Sequence, residues 1–127
     1  MCGSCCTAPA TTNVQRTAIQ FMGCYAAINA IRAGHSFCAM APENRVLIVC
    51  VEMCSIHFQK NDTSDRLLAN ALFGDGAAAV LMESFPGNSP ALECSSFYCD
   101  LIPDRGDNMA WTIGNNAFEM KLSSYIP

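Results

Sequence analysis

The sequence predicts an α/β fold, and three stretches in its first half carry that prediction. Residues 17–22 form a short apolar run, typical of a strand buried on both faces, that ends at Gly23. Residues 24–37 are rich in alanine and predict a helix that packs closely on more than one side. Residues 45–52 are largely β-branched and predict the clearest strand of the chain. A strand, a helix and a second strand at this spacing imply a right-handed crossover in a parallel sheet.

The predicted helix begins at Cys24, which makes this cysteine a candidate nucleophile. A sulfur at a helix start lies beside unpaired N–H groups and the positive end of the helix dipole, which favours thiolate. Most free cysteines, however, are small buried hydrophobes. The local pattern leaves both interpretations open. We expect the helix to end at Gly34 and His35 or shortly after, because glycine often terminates helices.

The length of the chain indicates at most one domain, and its composition is apolar for a domain of this size. The chain has 127 residues, of which 51% are hydrophobic and 14% charged, and its mean hydropathy is +0.21. No apolar run approaches the ~20 residues that cross a bilayer, and the N-terminus lacks a secretory signal, so we expect no membrane association and a cytoplasmic location. The net charge of −4 argues against nucleic-acid binding.

Nine cysteines in such a chain should be mostly reduced thiols rather than a disulfide framework. Three of them, Cys2, Cys5 and Cys6, lie in residues 1–12, a small polar stretch without periodicity that we interpret as a flexible leader. Their spacing resembles that of one ligand pair of a zinc site, but no second ligand pair follows at a suitable spacing. No metal or other cofactor is therefore expected.

The second half of the chain continues the alternation of helix and strand. Residues 53–65 predict a loop of the length that usually carries function, and residues 66–72 a short helix. A glycine turn at 73–76 leads directly into a predicted strand at 77–82.

Two further segments complete the prediction. Residues 91–100 favour a strand after a proline- and glycine-containing connection, and residues 108–127 alternate apolar and polar side chains as an edge or antiparallel segment does.

Three motifs occur in an order and spacing that resemble those of type III polyketide synthases, the chalcone synthase-like enzymes. They are Gly-Cys-Tyr-Ala-Ala at 23–27, the strand at 45–52, and Ala-Leu-Phe-Gly-Asp-Gly-Ala-Ala-Ala-Val at 71–80. The resemblance covers residues 13–127, which would form a partial N-terminal domain of that family. From residue 111 onward the sequence is more similar to bacterial and algal members than to plant chalcone synthases.

The resemblance implies a thiolase-like fold, of which this chain would form part of the N-terminal half of a five-layer αβαβα architecture. It implies that Cys24 holds an acyl starter as a thioester while malonyl-CoA loses carbon dioxide and attacks that thioester as an enolate. Phe73 would be the gatekeeper between the coenzyme A tunnel and the cavity, where it keeps water from the carbanion. The partners would be an acyl-CoA starter and a malonyl-CoA extender, and full-length members of the family are expected to be homodimers.

Three more residues match positions near the cavity of the family. Cys54 and His57 stand where plant chalcone synthases carry hydroxyl residues, and Glu52 matches a glutamate with an orienting role. Without the resemblance each has a plainer interpretation: packing for Cys54, a surface or core-edge histidine for His57, and an ion pair at a strand end for Glu52.

The family's catalytic histidine and asparagine lie beyond the matched stretch. His35 does not replace that histidine, because about 16 Å of helix separates it from Cys24 at ~1.5 Å per residue. We therefore expect the isolated chain to be inactive and poorly soluble. Two alternatives remain: another thiolase-fold condensing enzyme, of the ketoacyl synthase III or hydroxymethylglutaryl-CoA synthase type, and a non-catalytic remnant.

Overall fold

The computed structural model describes residues 13–60, 63–85, 87–104, 106, 108–115 and 118–122. The predicted leader at 1–12 and the end of the chain at 123–127 lie outside these ranges. The elements, in chain order, are a 3₁₀ turn Gly23–Tyr25, helix α1 Ala26–Met40, strand β1 Arg45–Glu52, a 3₁₀ turn Cys54–His57, helix α2 Ser64–Leu72, and strands β2 Gly76–Glu83, β3 Met109–Ile113 and β4 Phe118–Leu122.

The chain divides into two compact units. The first contains Met1–Val51 and Ala77–Phe97, and the second contains Glu52–Gly76 and Tyr98–Pro127. Each has a two-stranded sheet and a helix, β1 beside β2 with α1 in the first and β3 beside β4 with α2 in the second. This mixture confirms the predicted α/β class.

In the first unit, helix α1 packs on strands β1 and β2 through its one glycine. Gly34 is buried against Val46, Ile48 and Met82, so the two strands and the helix meet where the helix has no side chain. One turn later, the buried Cys38 thiol donates a 3.5 Å hydrogen bond to the Met82 carbonyl. Gly34 is thus a packing position in the helix interior.

Helix α1 therefore does not end near Gly34, as the sequence suggested, but continues to Met40. Tertiary packing outweighs the weak helix propensity of glycine at this position. The helix ends just before Pro42, whose ring disfavours helical backbone at the residue in front of it. The Asn44 side-chain amide donates a 2.8 Å bond to the carbonyl of Phe37 and satisfies one acceptor of the last turn.

The predicted strand at 17–22 is wrong. Residues 14–20 have no regular secondary structure, and Phe21 is 85% exposed with a φ of +58°. A strand forms only where a neighbouring strand accepts its backbone hydrogen bonds. Within the described ranges, β1 and β2 pair with each other, and this segment pairs with neither of them.

The predicted strand at 91–100 is also wrong for the same physical reason. These residues have no regular secondary structure, and Leu92 is fully exposed. The side chain of Phe97, in this same segment, contacts helix α1. Its ring lies edge-on to His35, with ring centroids 5.5 Å apart, and its centroid is 6.0 Å from the Arg32 guanidinium.

The central strands follow the prediction closely. Strand β1 has the predicted bounds, and β2 extends the predicted strand at 77–82 by one residue at each end. The two strands are hydrogen-bonded neighbours. The right-handed crossover expected between residues 17–22 and strand β1 is not formed, because residues 17–22 are not a strand.

In the second unit, helix α2 lies against the hairpin of β3 and β4. The strands are antiparallel, with Met109 opposite Leu122 and Trp111 opposite Met120, which confirms the antiparallel prediction for this part of the chain. Leu122 is buried. The Gln59 side chain reaches from the preceding loop and donates a 2.9 Å bond to the Phe118 carbonyl.

Many large apolar side chains are exposed in the part of the chain that the structure describes. Among them are Leu47 at 65% and Val49 at 53% on strand β1, whereas Ile48 between them is 8% exposed. One face of this strand is covered and the other open, although a strand this apolar is typical of sheets covered on both faces. In the described part of the chain, neither helix combines the length and apolar character needed to cross a bilayer.

Candidate functional site

Cys24 lies in the 3₁₀ turn that leads directly into helix α1. Its thiol is free and exposed. Because this turn immediately precedes Ala26, the first residue of helix α1, the sulfur stands at the amino end of a 15-residue helix.

The backbone before Cys24 turns sharply because two residues are left-handed. Phe21 has a φ of +58° and Gly23 a φ of +59°. Glycine adopts this conformation freely, whereas a phenylalanine does so at a cost of about 1 kcal/mol or more. A β-carbon at Gly23 would meet no atom within 4 Å. Glycine is thus required here by conformation and not by lack of space.

Cys54 and His57 are the first and last residues of the second 3₁₀ turn, and both are half-buried. The His57 ring packs in a cluster with two residues of the hairpin, with ring centroids 5.6 Å from Trp111 and 5.8 Å from Phe118. Trp111 and Phe118 are perpendicular to each other, with centroids 6.3 Å apart. The hairpin therefore positions the His57 side chain.

Phe73 terminates helix α2, and its N–H donates a 2.9 Å bond to the Ala69 carbonyl. Its side chain is half-buried. Because Gly74 follows it, the backbone leaves the helix without a side chain beside the phenyl ring. The predicted gatekeeper thus stands at the junction between a helix and a turn.

The structure adds a pair of residues that the sequence prediction missed. The Asp75 carboxylate accepts a 2.8 Å bond from the backbone N–H of Ser55 and a 2.7 Å bond from its hydroxyl. These bonds, led by the backbone N–H, hold the pKa of Asp75 below its ordinary value of 3.8. The available signal was an aspartate between two glycines, two residues after Phe73, because a carboxylate on such a turn often accepts backbone hydrogen bonds.

Glu52 is the exposed last residue of strand β1. It lies two positions before Cys54 and belongs to the same unit as Cys54, His57 and Phe73. In this unit, the hydrogen bonds from Ser55 to Asp75 link the Cys54–His57 turn to the glycine turn at 73–76. Cys24 belongs to the first unit.

A separate open cleft of about 390 Å³ lies between the start of helix α2 and the hairpin, lined by Arg66, Glu119 and Lys121 among others. None of the predicted site residues lines it. Within the described ranges, no three His, Cys, Asp or Glu side chains gather as a metal ion would require.

The chain matches known proteins along most of its length. Residues 8–86 match the sequence profile described as chalcone and stilbene synthases, N-terminal domain. The chain is 36% identical over 107 residues to the 1,3,6,8-tetrahydroxynaphthalene synthase of Streptomyces coelicolor, which covers 84% of this chain and 28% of that enzyme.

Two solved structures resemble the fold. PKS-I of the brown alga Ectocarpus siliculosus superimposes with a TM-score of 0.79 at 32% identity, over 92% of this chain and 32% of that one. The C-terminal type III polyketide synthase domain of Steely1, a type I/III hybrid from Dictyostelium, gives 0.71 at 30% identity, over 92% of this chain and 33% of that one.

These similarities establish that the α/β arrangement is part of a thiolase-like fold. Within that fold, the chain belongs to the chalcone and stilbene synthase family, the type III polyketide synthases. This confirms the resemblance to the family. The chain spans 28% of the Streptomyces coelicolor enzyme and about a third of each of the two solved chains.

Proposed function

We propose that this chain supplies the nucleophile-bearing part of a polyketide-forming acyltransferase. The observation that carries the proposal is the position of Cys24, an exposed thiol in the turn that opens helix α1, in a chain of this family. A cysteine thiol at such a position can attack an acyl-CoA, and a thioester formed on it stores a reactive acyl group.

The proposed reaction has two stages. The Cys24 thiolate attacks the carbonyl of an acyl-CoA, a new carbon–sulfur bond forms, and the coenzyme A thiolate leaves. Malonyl-CoA then loses carbon dioxide, and the resulting enolate attacks the Cys24 thioester. A carbon–carbon bond forms, the bond to sulfur breaks, and the Cys24 thiolate is regenerated with the lengthened chain on coenzyme A. Covalent storage thus divides one difficult condensation into two easier steps.

The residues of the second unit would shape the cavity for the acyl chain. Phe73 would exclude water from the enolate, and Cys54 and His57 would line the wall against which the chain grows. Glu52 would orient neighbouring groups. The half-buried positions of Phe73, Cys54 and His57 support this assignment, because each presents part of its side chain to solvent or ligand.

The experiment compares the 127-residue chain alone with the same chain joined to the remaining part of the Streptomyces coelicolor enzyme. Each is incubated with acyl-CoA starters and malonyl-CoA, and intact-protein mass spectrometry measures the acyl adduct. We expect the joined enzyme to carry the adduct and release extended products, and the chain alone to show no malonyl-CoA decarboxylation, since the family's catalytic histidine is expected in the part that the joined enzyme adds.

Two substitutions sharpen this test. Cys24→Ala should abolish the adduct, whereas Cys94→Ala should leave it unchanged, because Cys94 is also an exposed free thiol but lies outside the helices of the described chain. An adduct that persists in Cys24→Ala would contradict the proposal. Release of singly extended products only would favour an enzyme of the ketoacyl synthase III type.

A further inference from the structure

The Cys54–His57 turn is held at its beginning by one carboxylate. Asp75 Oδ1 accepts the Ser55 N–H at 2.8 Å, and Asp75 Oδ2 accepts the Ser55 hydroxyl at 2.7 Å. The backbone N–H of Cys54 also helps to lower the pKa of this carboxyl. Two donors of Ser55 thus converge on a single ionised group, and such charge-assisted bonds are about twice as strong as neutral ones.

The same turn is held at its end by packing. The Phe58 N–H donates a 3.2 Å bond to the Ser55 carbonyl and closes the turn. The His57 ring lies against Trp111 and Phe118 of the hairpin. Both the backbone at the start of this segment and the side chain at its end therefore have defined positions.

Asp75 also connects this turn to Phe73. Only Gly74 separates the two residues, and Gly74 has no side chain to hold the turn by packing. A change in the position of the Asp75 carboxylate would therefore move Cys54 and Phe73 relative to each other.

We propose that Asp75 is a positioning residue that, through Ser55, fixes Cys54 relative to Phe73 and so determines which acyl chains the cavity accepts. This inference rests on the proposed function for its effect on substrate, whereas the hydrogen-bonded arrangement stands independently of activity. Asp75→Asn replaces one acceptor oxygen by an NH₂ group, which cannot accept a bond from Ser55. Ser55→Ala removes the hydroxyl and keeps the N–H, and Ser55→Thr restores a hydroxyl.

The chain offers a matched control for each substitution. Asp100, like Asp75, accepts a backbone N–H, from Leu101 at 2.8 Å, and a side-chain hydroxyl, from Tyr98 at 2.8 Å. Asp100→Asn therefore removes an exposed carboxylate with the same kind of partners. Ser36 is an exposed serine whose hydroxyl donates to the Arg32 carbonyl at 3.1 Å, so Ser36→Ala is the control for Ser55→Ala.

The first measurement is amide hydrogen exchange in the peptide 53–58, made on the 127-residue chain and on the joined enzyme. Asp75→Asn should accelerate this exchange roughly tenfold, because a charged hydrogen bond protects the Ser55 amide. Ser55→Ala should accelerate it less, Ser55→Thr should restore it, and the two controls should leave it unchanged. Equal exchange in the wild type and Asp75→Asn would overturn the proposed role of Asp75.

The second measurement is the product profile of the joined enzyme with acyl-CoA starters of increasing length. Ser55→Ala should shift the preferred starter and raise KM more than it lowers kcat, and Ser55→Thr should restore both. Faster exchange with an unchanged profile would overturn the role in substrate selection. If the wild-type joined enzyme forms no product, the proposed function fails with that role, and the exchange result alone decides whether Asp75 fixes the turn.

Discussion

Gly34 of helix α1 lies so close to Met82 of strand β2 that a β-carbon added to Gly34 would stand 2.8 Å from the methionine sulfur. The same β-carbon would lie 3.3 Å from the Ile48 Cδ1 and 3.4 Å from the Val46 Cγ1. The methionine side chain is flexible and can move, whereas the two β-branched residues of strand β1 have little rotamer freedom.

We therefore expect a small effect of Gly34→Ala and a large effect of Gly34→Val on stability. Alanine gains about 1 kcal/mol in helix propensity, which offsets the displacement of Met82. Valine should cost roughly 2–3 kcal/mol, because its methyl groups overpack the contact with the strands. Chemical denaturation measures the free energy of unfolding. Ala39→Val, at an exposed position of the same helix, is the control, and an equal cost at both positions would contradict this packing.

Two ion pairs should differ in their contribution to stability. Arg66 pairs with Glu119 at 3.2 Å with its side chain 20% exposed, whereas Arg45 pairs with Glu83 at 3.5 Å with its side chain 74% exposed. We expect Arg66→Met to lower the free energy of unfolding by about 0.5–1 kcal/mol, and Arg45→Met to change it by less than about 0.3 kcal/mol. Equal effects of the two substitutions would show that burial does not govern these pairs.

The titration of Asp75 should report its contact with Ser55. The Ser55 N–H and hydroxyl hold the pKa of Asp75 below its ordinary value of 3.8 in the folded protein. The contact is therefore fully formed above pH 3.8 and is lost as the pH falls through the lower, folded pKa.

Carbon-detected NMR of the side-chain carboxyl groups measures this titration. Ser55→Ala should raise the titration midpoint of Asp75 and leave that of Asp100 unchanged, because the Tyr98 hydroxyl and the Leu101 N–H lower the pKa of Asp100 independently. An Asp75 midpoint that does not move would show that the Ser55 hydroxyl makes no bond in solution.

The cluster around His57 provides an optical reporter. Trp111 is the only tryptophan in the chain, and its ring centroid is 5.6 Å from that of His57. Removing the imidazole by His57→Ala should expose more of the indole to water and shift the emission of Trp111 to longer wavelength, whereas His35→Ala should leave the emission unchanged. An unchanged emission in His57→Ala would contradict the contact.

The elements that the sequence predicted correctly are those in which local pattern and tertiary packing agree. Strand β1 is rich in β-branched residues, which favour a strand through local preference alone. Helix α2 is bounded by Thr63 and Phe73, which both have extended backbones. The strands expected at 17–22 and 91–100 did not form, because an apolar run does not provide the neighbouring strand that must accept its hydrogen bonds.

The candidate site was predictable one residue at a time, but its organisation was not. Cys24 and Phe73 stand in recognisable motifs, whereas the bonds between Ser55 and Asp75 join residues 20 positions apart. No local pattern indicates which distant donor an aspartate on a glycine turn will meet. The contacts of His57 with Trp111 and Phe118 of the hairpin could not be predicted from the sequence for the same reason.

Position 23, directly before Cys24, has a left-handed backbone and free space around its α-carbon. The chirality of the residue at this position, and not its size, therefore decides whether it fits. Since a β-carbon at position 23 would meet nothing within 4 Å, an L-alanine there would cost about 1–2 kcal/mol through backbone conformation alone. A D-alanine introduced by chemical ligation has the opposite preference and would fit this φ of +59° without strain. The loop that presents the thiol could therefore be made more rigid by a mirror-image residue than by any of the genetically encoded ones.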